Sequence, residues 1–364
     1  MNLKRTGSLV AIAAVGTMLL ASCATNEGGS AGGSEGGSDL SGTISGIGAS
    51  SQQAAQEAWV AGYQTANEGV TVNYDPQGSG GGRESFISGA AAFAGSDRPF
   101  TTDEISSSTF AGCTPDTGIV ELPAYVSPIA VVFNLDGITE LNLSPATIAG
   151  IFNLSITSWD ADEIAADNPG VDLPSTPITA VHRADDSGTP ENFTDYLNKT
   201  APDVWTTEAD GVWPTTDGEG ATGTSGVIDA VGNGTGTIGY ADASRAGDLG
   251  VVKVKVGDEF VSFSPEAAAA IVDESPEEEG RTEGDIAIAI DRTTDAAGVY
   301  PIVLVSYLIA CESYEDAEQG ELVKSYLSYV TSDEGQKVAA DAAGSAPISS
   351  TLSTQVAGAI ELIK

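Results

Sequence analysis

From residue 40 onward, short apolar runs of period two alternate with segments of period 3.6, and the junctions are turns rich in glycine and serine. A chain built that way lays helices over the faces of a sheet, because neither element can bury its apolar side alone. Thr43-Ile44-Ser45-Gly46-Ile47 reads as a strand. Ser50 or Ser51 then caps a helix, with Gln53 three residues after Ser50 as in a capping box, and Ala55, Trp59 and Tyr63 form its buried stripe. Val70, Val72 and Tyr74 alternate as a second strand, Gly78-Ser79-Gly80-Gly81-Gly82 is a turn, and a helix starts over residues 83–87. Strand, glycine turn and helix recur over residues 93–105, and the rhythm predicts an α/β fold with a largely parallel sheet.

Further along, Ile129-Ala130-Val131-Val132-Phe133 has the unbroken apolar character of a strand buried on both faces. Ser144-Pro145 opens a helix whose core side is Ile148, Ile151 and Phe152. Residues 178–181 form a strand that runs into His182-Arg183-Ala184-Asp185-Asp186-Ser187-Gly188-Thr189, with Pro190 as the opener of the next helix. A helix over 224–231 is stopped by Gly232, a strand covers 237–240, an acidic loop covers 274–283, an apolar strand region covers 299–309, and Leu322, Tyr326 and Tyr329 mark a C-terminal helix.

The first residues read as an address. Lys4 and Arg5 precede an apolar run over 9–21, too short to span a bilayer, which needs ~20 apolar residues. The run ends in Leu20-Ala21-Ser22-Cys23, which resembles the lipobox of bacterial lipoproteins. Residues 1–22 are then a signal peptide, and Cys23 carries the lipid; lipoprotein cysteines bear several acyl chains, palmitate among them. The competing reading is an ordinary secretory signal with an incidental cysteine. Residues 23–40 hold the lipidated cysteine and a glycine- and serine-rich tether that reaches roughly 20–25 Å. Export to an oxidising space allows a disulfide between Cys113 and Cys311, tying an early segment to a late one; two buried free thiols are the other reading.

Composition narrows the partners. Fourteen basic against 52 acidic side chains give a formal charge of −38, which argues against nucleic acid or an anionic membrane surface as the main partner. A single histidine excludes a histidine-rich metal site, no cofactor is expected, and His182 is left as the one imidazole for nucleophilic catalysis. The 364 residues suffice for about two domains at ~150 residues each.

Three polar loops each follow a strand and precede a helix: Ala49-Ser50-Ser51, Gly78-Ser79-Gly80-Gly81 and Ser187-Gly188-Thr189. Helix N-termini present unpaired N–H groups and partial positive charge, hydroxyls add donors, and glycine admits an anion to the backbone. Arg183 adds a planar two-pronged donor. Each loop alone is an ordinary capped turn; together they describe an oxyanion site.

These stretches resemble the phosphate-binding proteins of bacterial ABC-type phosphate transporters. The likeness is strongest over residues 151–189, in Ile151-Phe152-Asn153, Ser158-Trp159-Asp160, Asn168-Pro169-Gly170, Leu173-Pro174-Ser175 and the run from Arg183 to Thr189, with further matches at Gly78-Ser79-Gly80-Gly81, Gly95-Ser96-Asp97 and Ile238-Gly239-Tyr240. The resemblance implies a two-lobed, periplasmic-binding-protein-like (type II) fold, each lobe a mixed sheet flanked by helices and the two joined by hinge strands. Lobe I would be 41–127 plus 298–364 and lobe II 128–297. It implies inorganic phosphate as ligand, a monomer, the membrane permease subunits of an ABC phosphate importer as partner, and a place at the outer face of the cell membrane.

Carried over, the ligand contacts fall on Ser50, Ser51, Ser79, Asp97, Arg183, Ser187, Gly188 and Thr189, with Asp185 holding the arginine fork. The family commonly has threonine then phenylalanine at the first loop; here Ser50 then Ser51 stand there, so the second contact reduces to a backbone N–H. Asp97 suits an anion only if the anion carries a proton to donate, which phosphate does and sulfate does not, and a site built around such a bond rejects a partner lacking it by ~10⁴–10⁵. A turn aspartate, or one paired with Arg98, is the bland alternative, and Arg98 reads as a cleft-rim or plain surface charge. His182 should face away from Arg183 and pack, Trp159 and Asp160 should fix a turn, Trp205 and Trp213 should be core or rim, and the acidic 274–283 stretch lacks calcium-loop spacing and reads as a solvated loop. The same fold with sulfate or molybdate as ligand, a secreted phosphatase and a structural acidic lipoprotein are the competing readings.

Overall fold

The structure is a computed structural model that describes residues 40–364; the signal segment, Cys23 and nearly all of the tether lie outside the described residues. The first sheet starts with three parallel strands, β1 (Gly42–Gly48), β2 (Val70–Asp75) and β3 (Phe93–Ser96), with helices α1 (Gln53–Ala66), α2 (Ser79–Ile87) and α3 (Thr102–Ser107) between or after them. Strand β4 (Ile119–Asn134) is long enough to serve two sheets and is buried along nearly its whole length. The second half of the fold is built from β5 (Glu140–Leu143), α4 (Pro145–Phe152), α5 (Asp162–Asp167), β6 (Thr179–Arg183), α6 (Gly188–Thr200), β7 (Glu219–Ala221), α7 (Gly223–Asn233) and β8 (Thr237–Asp242). It continues with β9 (Gly250–Val256), β10 (Glu259–Val261) and α8 (Pro265–Glu274). The chain then returns to the first sheet through β11 (Val303–Cys311) and closes with α9 (Ala317–Thr331), α10 (Asp333–Ala343) and α11 (Ser350–Ile360).

The strand order β2-β1-β3-β11-β4-β8-β6-β7 shows how the halves join. Residues 119–128 of β4 pair antiparallel with β11, and from Ile129 the same strand pairs with β8 and then also with β9. The sheet is therefore mixed rather than largely parallel. The returning strand β11 enters between β3 and β4 antiparallel to both, a pairing that the local rhythm of strand and helix does not encode. One large apolar core runs from Trp59 and Tyr326 through β4 and β11 to Phe193 and Tyr240. A smaller one under α7 packs Val227 and Val231 against Val132 and Val181. Cys113 and Cys311 form a disulfide that ties the segment after α3 to the end of β11.

Several element ends differ from the sequence expectation, each for a local reason. Gln52, not Ser50 or Ser51, occupies the N-cap of α1, and no side chain caps it. The two serine hydroxyls are engaged elsewhere, Ser50 with Thr224 and Ser51 with Asp97. The run Gly80-Gly81-Gly82 is not a turn but the first turn of α2. Its glycines serve close packing: a Cβ on Gly82 would lie 2.6 Å from Gly48 Cα. Helix α6 begins at Gly188, capped by Ser187, and Pro190 falls inside its first turn, where a missing N–H is harmless. Helix α7 runs past Gly232 to Asn233, because Asn134 Nδ2 donates to the carbonyls of Gly232 (3.0 Å) and Gly234 (2.6 Å) at its end. The acidic loop is largely exposed, but Arg281 ties it down to Glu278, Asp285 and the Phe100 carbonyl.

Asp242 sits where β4 changes sheets, paired with Ile129 and fully buried. It accepts from Tyr125 OH at 3.1 Å on both oxygens and from the Ser244 hydroxyl at 2.5 Å. Burial, only partly offset by these bonds, pushes its carboxyl up to about 6. A carboxyl raised in the folded state favours folding below the unfolded value near 3.8, and that contribution is lost as pH rises through about 6. Asp242→Asn, which needs no proton, is expected to raise unfolding free energy at pH 7.5 by up to about 3 kcal/mol, and to flatten the pH dependence between 4 and 6. Denaturant titrations at several pH values check this; an unchanged slope refutes it.

Candidate functional site

Four helix N-termini converge where the two halves meet. The first loop leaves β1, and its Ser51 hydroxyl donates to Asp97 Oδ1 at 2.5 Å. The start of α2 brings Ser79, whose hydroxyl accepts from the Asp97 backbone N–H at 3.1 Å. From the second half, the start of α6 brings Thr189, whose hydroxyl donates to Asp97 Oδ2 at 3.1 Å. Gly188 makes that approach possible, since a Cβ there would lie 2.6 Å from Asp97 Cβ. Ser187 accepts from the Thr189 N–H at 3.2 Å and so holds the helix end in place. Asn192, one turn further along α6, donates to the Asp97 carbonyl at 2.8 Å.

Arg183 ends β6 and is 1% exposed. Its Nε donates to Asp185 Oδ1 at 2.7 Å and its Nη2 to Asp185 Oδ2, so one edge of the guanidinium is held. Nη1 faces Thr189 Oγ1 at 3.4 Å, which leaves that arm turned toward Asp97 and the helix ends. Asp185 also accepts from the Gly223 N–H at 3.0 Å. Partial burial raises its carboxyl, but the Arg183 bonds and charge outweigh that and hold it below the usual aspartate range. Asp97 has the opposite balance. Burial raises its proton affinity more than Ser306, Ser51, Arg183 and Thr189 lower it.

Of the nine predicted residues, Ser51, Ser79, Asp97, Arg183, Asp185, Ser187, Gly188 and Thr189 form this one cluster. Ser50 lies at its edge, with its hydroxyl 3.2 Å from both the Thr224 N–H and the Thr224 hydroxyl. Asp97 is no turn aspartate, and it does not pair with Arg98, which holds Glu104 and, at 2.9 Å, Glu191. His182 stacks on Trp213 with ring centroids 5.0 Å apart, facing away from the cluster. Trp159 donates to the Gly236 carbonyl and so fixes the turn before β8.

Three participants were not read from the sequence. Ser306 donates to Asp97 Oδ1 at 2.6 Å and is the one serine inside the apolar run of β11. Thr224 lies in the first turn of α7, after β7 and Gly223, much as in the other three loops. Asn192 left no signal, because its role depends on the tertiary position of α6. Chemically, the cluster is a cage of neutral hydroxyl and N–H donors with one available cationic arm and one acceptor carboxylate, suited to a small oxyanion that still carries a proton.

Comparison with known proteins agrees with that description. The PBP superfamily domain matches residues 33–334. The chain is 32% identical to phosphate-binding protein PstS 2 of Mycobacterium tuberculosis, with the whole of both chains covered. It is 32% identical to PstS3 of Mycobacterium bovis over 90% of each. Among solved structures, a high-affinity periplasmic phosphate-binding protein (PfluDING) bound with phosphate superposes with a TM-score of 0.71 at 22% identity, covering 87% of this chain and 93% of that one.

Proposed function

The chain belongs to the phosphate-binding proteins of the PBP superfamily, and on that premise we propose that it captures inorganic phosphate outside the cytoplasm, between its two lobes, and hands it to the permease subunits of an ABC importer. The lobes are 41–127 with 298–364, and 128–297, with the 277–288 segment resting against the first lobe through the Glu121–Asp285 bridge. The lipid on Cys23 and the tether behind it keep a monomeric body at the membrane's outer face. The family is one of substrate-binding proteins, and the site is read here as binding without a catalytic step.

The observation that carries the reading is the meeting of Thr189 and Asp97 across the halves. A hydroxyl proton reaches Oδ2 at 3.1 Å from the second half, so that oxygen is an acceptor aimed into the donor cage. Phosphate keeps one or two protons near neutral pH and offers one to Asp97 Oδ2 in place of the Thr189 hydroxyl, while its other oxygens take N–H groups from the starts of α1, α2 and α6, the hydroxyls of Ser50, Ser79 and the released Thr189, and the Nη1 arm of Arg183. A chain of charge −38 repels an anion at long range, so affinity comes from short charge-assisted bonds in a water-poor cleft. Closure of the lobes assembles contacts from both and presents the loaded form to the importer.

Isothermal calorimetry of the mature chain with phosphate, arsenate and sulfate tests this. Phosphate is expected to bind, arsenate to compete because it carries the same protons, and sulfate to be excluded by ~10⁴-fold. Absence of phosphate binding, or sulfate bound equally well, overturns the reading.

A further inference from the structure

The carboxylate at the centre of the site is the end of a buried hydrogen-bond chain that runs through three other segments of the fold. Tyr326 on α9 donates to Gln56 Oε1 at 2.8 Å, Gln56 Nε2 donates to Gln52 Oε1 at 2.8 Å, and Gln52 Nε2 donates to Ser306 Oγ at 2.6 Å. Ser306 Oγ in turn lies 2.6 Å from Asp97 Oδ1. Each of the five side chains is at most 2% exposed.

The direction of every bond is fixed by one anchor. Gln52 Nε2 also lies 3.1 Å from the Tyr307 carbonyl, which can only accept, so the nitrogen of Gln52 must face β11 and its oxygen must face Gln56. That oxygen can only accept, so Gln56 presents nitrogen to it and oxygen to Tyr326, whose hydroxyl must donate. Ser306 Oγ accepts a hydrogen bond from Gln52 Nε2 and has its own proton left to donate to Asp97. Gly95, in the strand beside them, leaves the room: a Cβ there would lie 3.0 Å from Gln52 Oε1 and 2.3 Å from the Tyr74 hydroxyl.

We infer that Gln52 and Ser306 are specificity-determining positioning residues: their directed chain saturates Asp97 Oδ1 with donors, keeps the carboxylate ionised, and leaves Oδ2 as the acceptor that tests a ligand for a proton. The inference rests on the proposed role of Asp97 in phosphate capture. Two donors, Ser51 and Ser306, converge on Oδ1, whereas Oδ2 has only Thr189. This asymmetry is needed because burial raises the proton affinity of Asp97, and a protonated Asp97 would donate to an unprotonated oxyanion and lose its selectivity. The charged groups nearby are Arg183 on β6, which favours ionisation, and Arg98 on the next residue, which is held by Glu104 and Glu191. The phenols of Tyr74 and Tyr326 are pushed up by burial and stay neutral.

The test is competition of sulfate against phosphate, followed over pH, in the wild type, Ser306→Ala, Gln52→Glu and Ser306→Thr. Losing one bond to an ionised group changes proton affinity by roughly tenfold or more. Ser306→Ala is therefore expected to move the onset of sulfate binding up by about one pH unit, and to cut the phosphate-over-sulfate ratio at neutral pH by at least about tenfold, with phosphate affinity changing less. Gln52→Glu fits the same space but offers Ser306 an acceptor and draws its proton away, so it should act in the same direction; it decides the matter if Ser306→Ala does not fold. Ser306→Thr returns the hydroxyl and should return the ratio, which a purely packing role would not produce. Ratios and pH onset within about twofold of wild type, with phosphate still bound, overturn the inference. Failure of the wild type to bind phosphate overturns instead the reading beneath it.

Discussion

Arg183→Ala is expected to lower phosphate affinity by about 10²–10⁴-fold, the largest loss of any single substitution in the site. The guanidinium is clamped on one edge by Asp185, through Nε and Nη2, and this clamp turns Nη1 toward the place where Thr189 and Asp97 meet. A bond from a charged donor is worth ~1.5–3 kcal/mol, and two such contacts to a phosphate oxygen pair lie within reach of the arm. At 1.4 kcal/mol per factor of ten, their loss gives the range stated. The substitution should not unfold the protein, because Asp185 is only partly buried and keeps the Gly223 N–H. Arg183→Lys restores charge but not the fork. It cannot bond both Asp185 oxygens and the ligand from fixed directions, so it should recover only part of the loss. Calorimetry of the two variants against wild type checks both; equal affinity for the alanine variant would remove Arg183 from the site.

How much of this was legible beforehand depends on whether a signal is local. Helix N-termini are local: glycine, serine and threonine after an apolar run marked the starts of α2 and α6 and the first loop, and these do converge. Arg183 ends β6 and Asp185 lies two residues on, and their pairing was expected from the family resemblance. What escaped depends on pairings far apart in the chain. β11 returns after more than half the chain to lie between β3 and β4, and only this return brings Ser306 to Asp97 across 209 positions. A serine in an otherwise apolar strand was the trace it left. The cap of α1 was misread for the same reason in reverse. Ser50 and Ser51 have the chemistry of caps, but distant partners, Thr224 and Asp97, take their hydroxyls. The glycines of α2 were read by their propensity for turns, whereas close approach to β1 makes small residues necessary inside a helix. Tertiary demand overrides local preference most strongly around the site, where three other chain segments must bring hydroxyls to one carboxylate.

Asp97→Asn turns this demand into the sharpest test of selectivity. Two hydroxyl protons, from Ser51 and from Ser306, point at Oδ1, and the chain through Gln52 prevents Ser306 from reversing. An asparagine must therefore place its oxygen where Oδ1 is and its NH₂ where Oδ2 is. The group facing the ligand changes from an acceptor to a donor. Sulfate then gains a hydrogen bond and loses a repulsion, while phosphate exchanges one good contact for another by turning an unprotonated oxygen to the amide. The phosphate-over-sulfate ratio, ~10⁴ or more in a site that demands a proton, is expected to fall to about 10² or below, with phosphate itself weakened by no more than about tenfold. The wild type should show the same loss on acidification. Burial raises Asp97 above the ordinary aspartate value, so discrimination is complete while the carboxylate is ionised and erodes as pH falls toward its raised value. The asparagine variant has no such proton to gain, so its ratio should be flat over the same range. Competition titrations of phosphate and sulfate from pH 8 down to 4 compare the two proteins, and a variant that still rejects sulfate as the wild type does would take the proton-testing role away from Asp97.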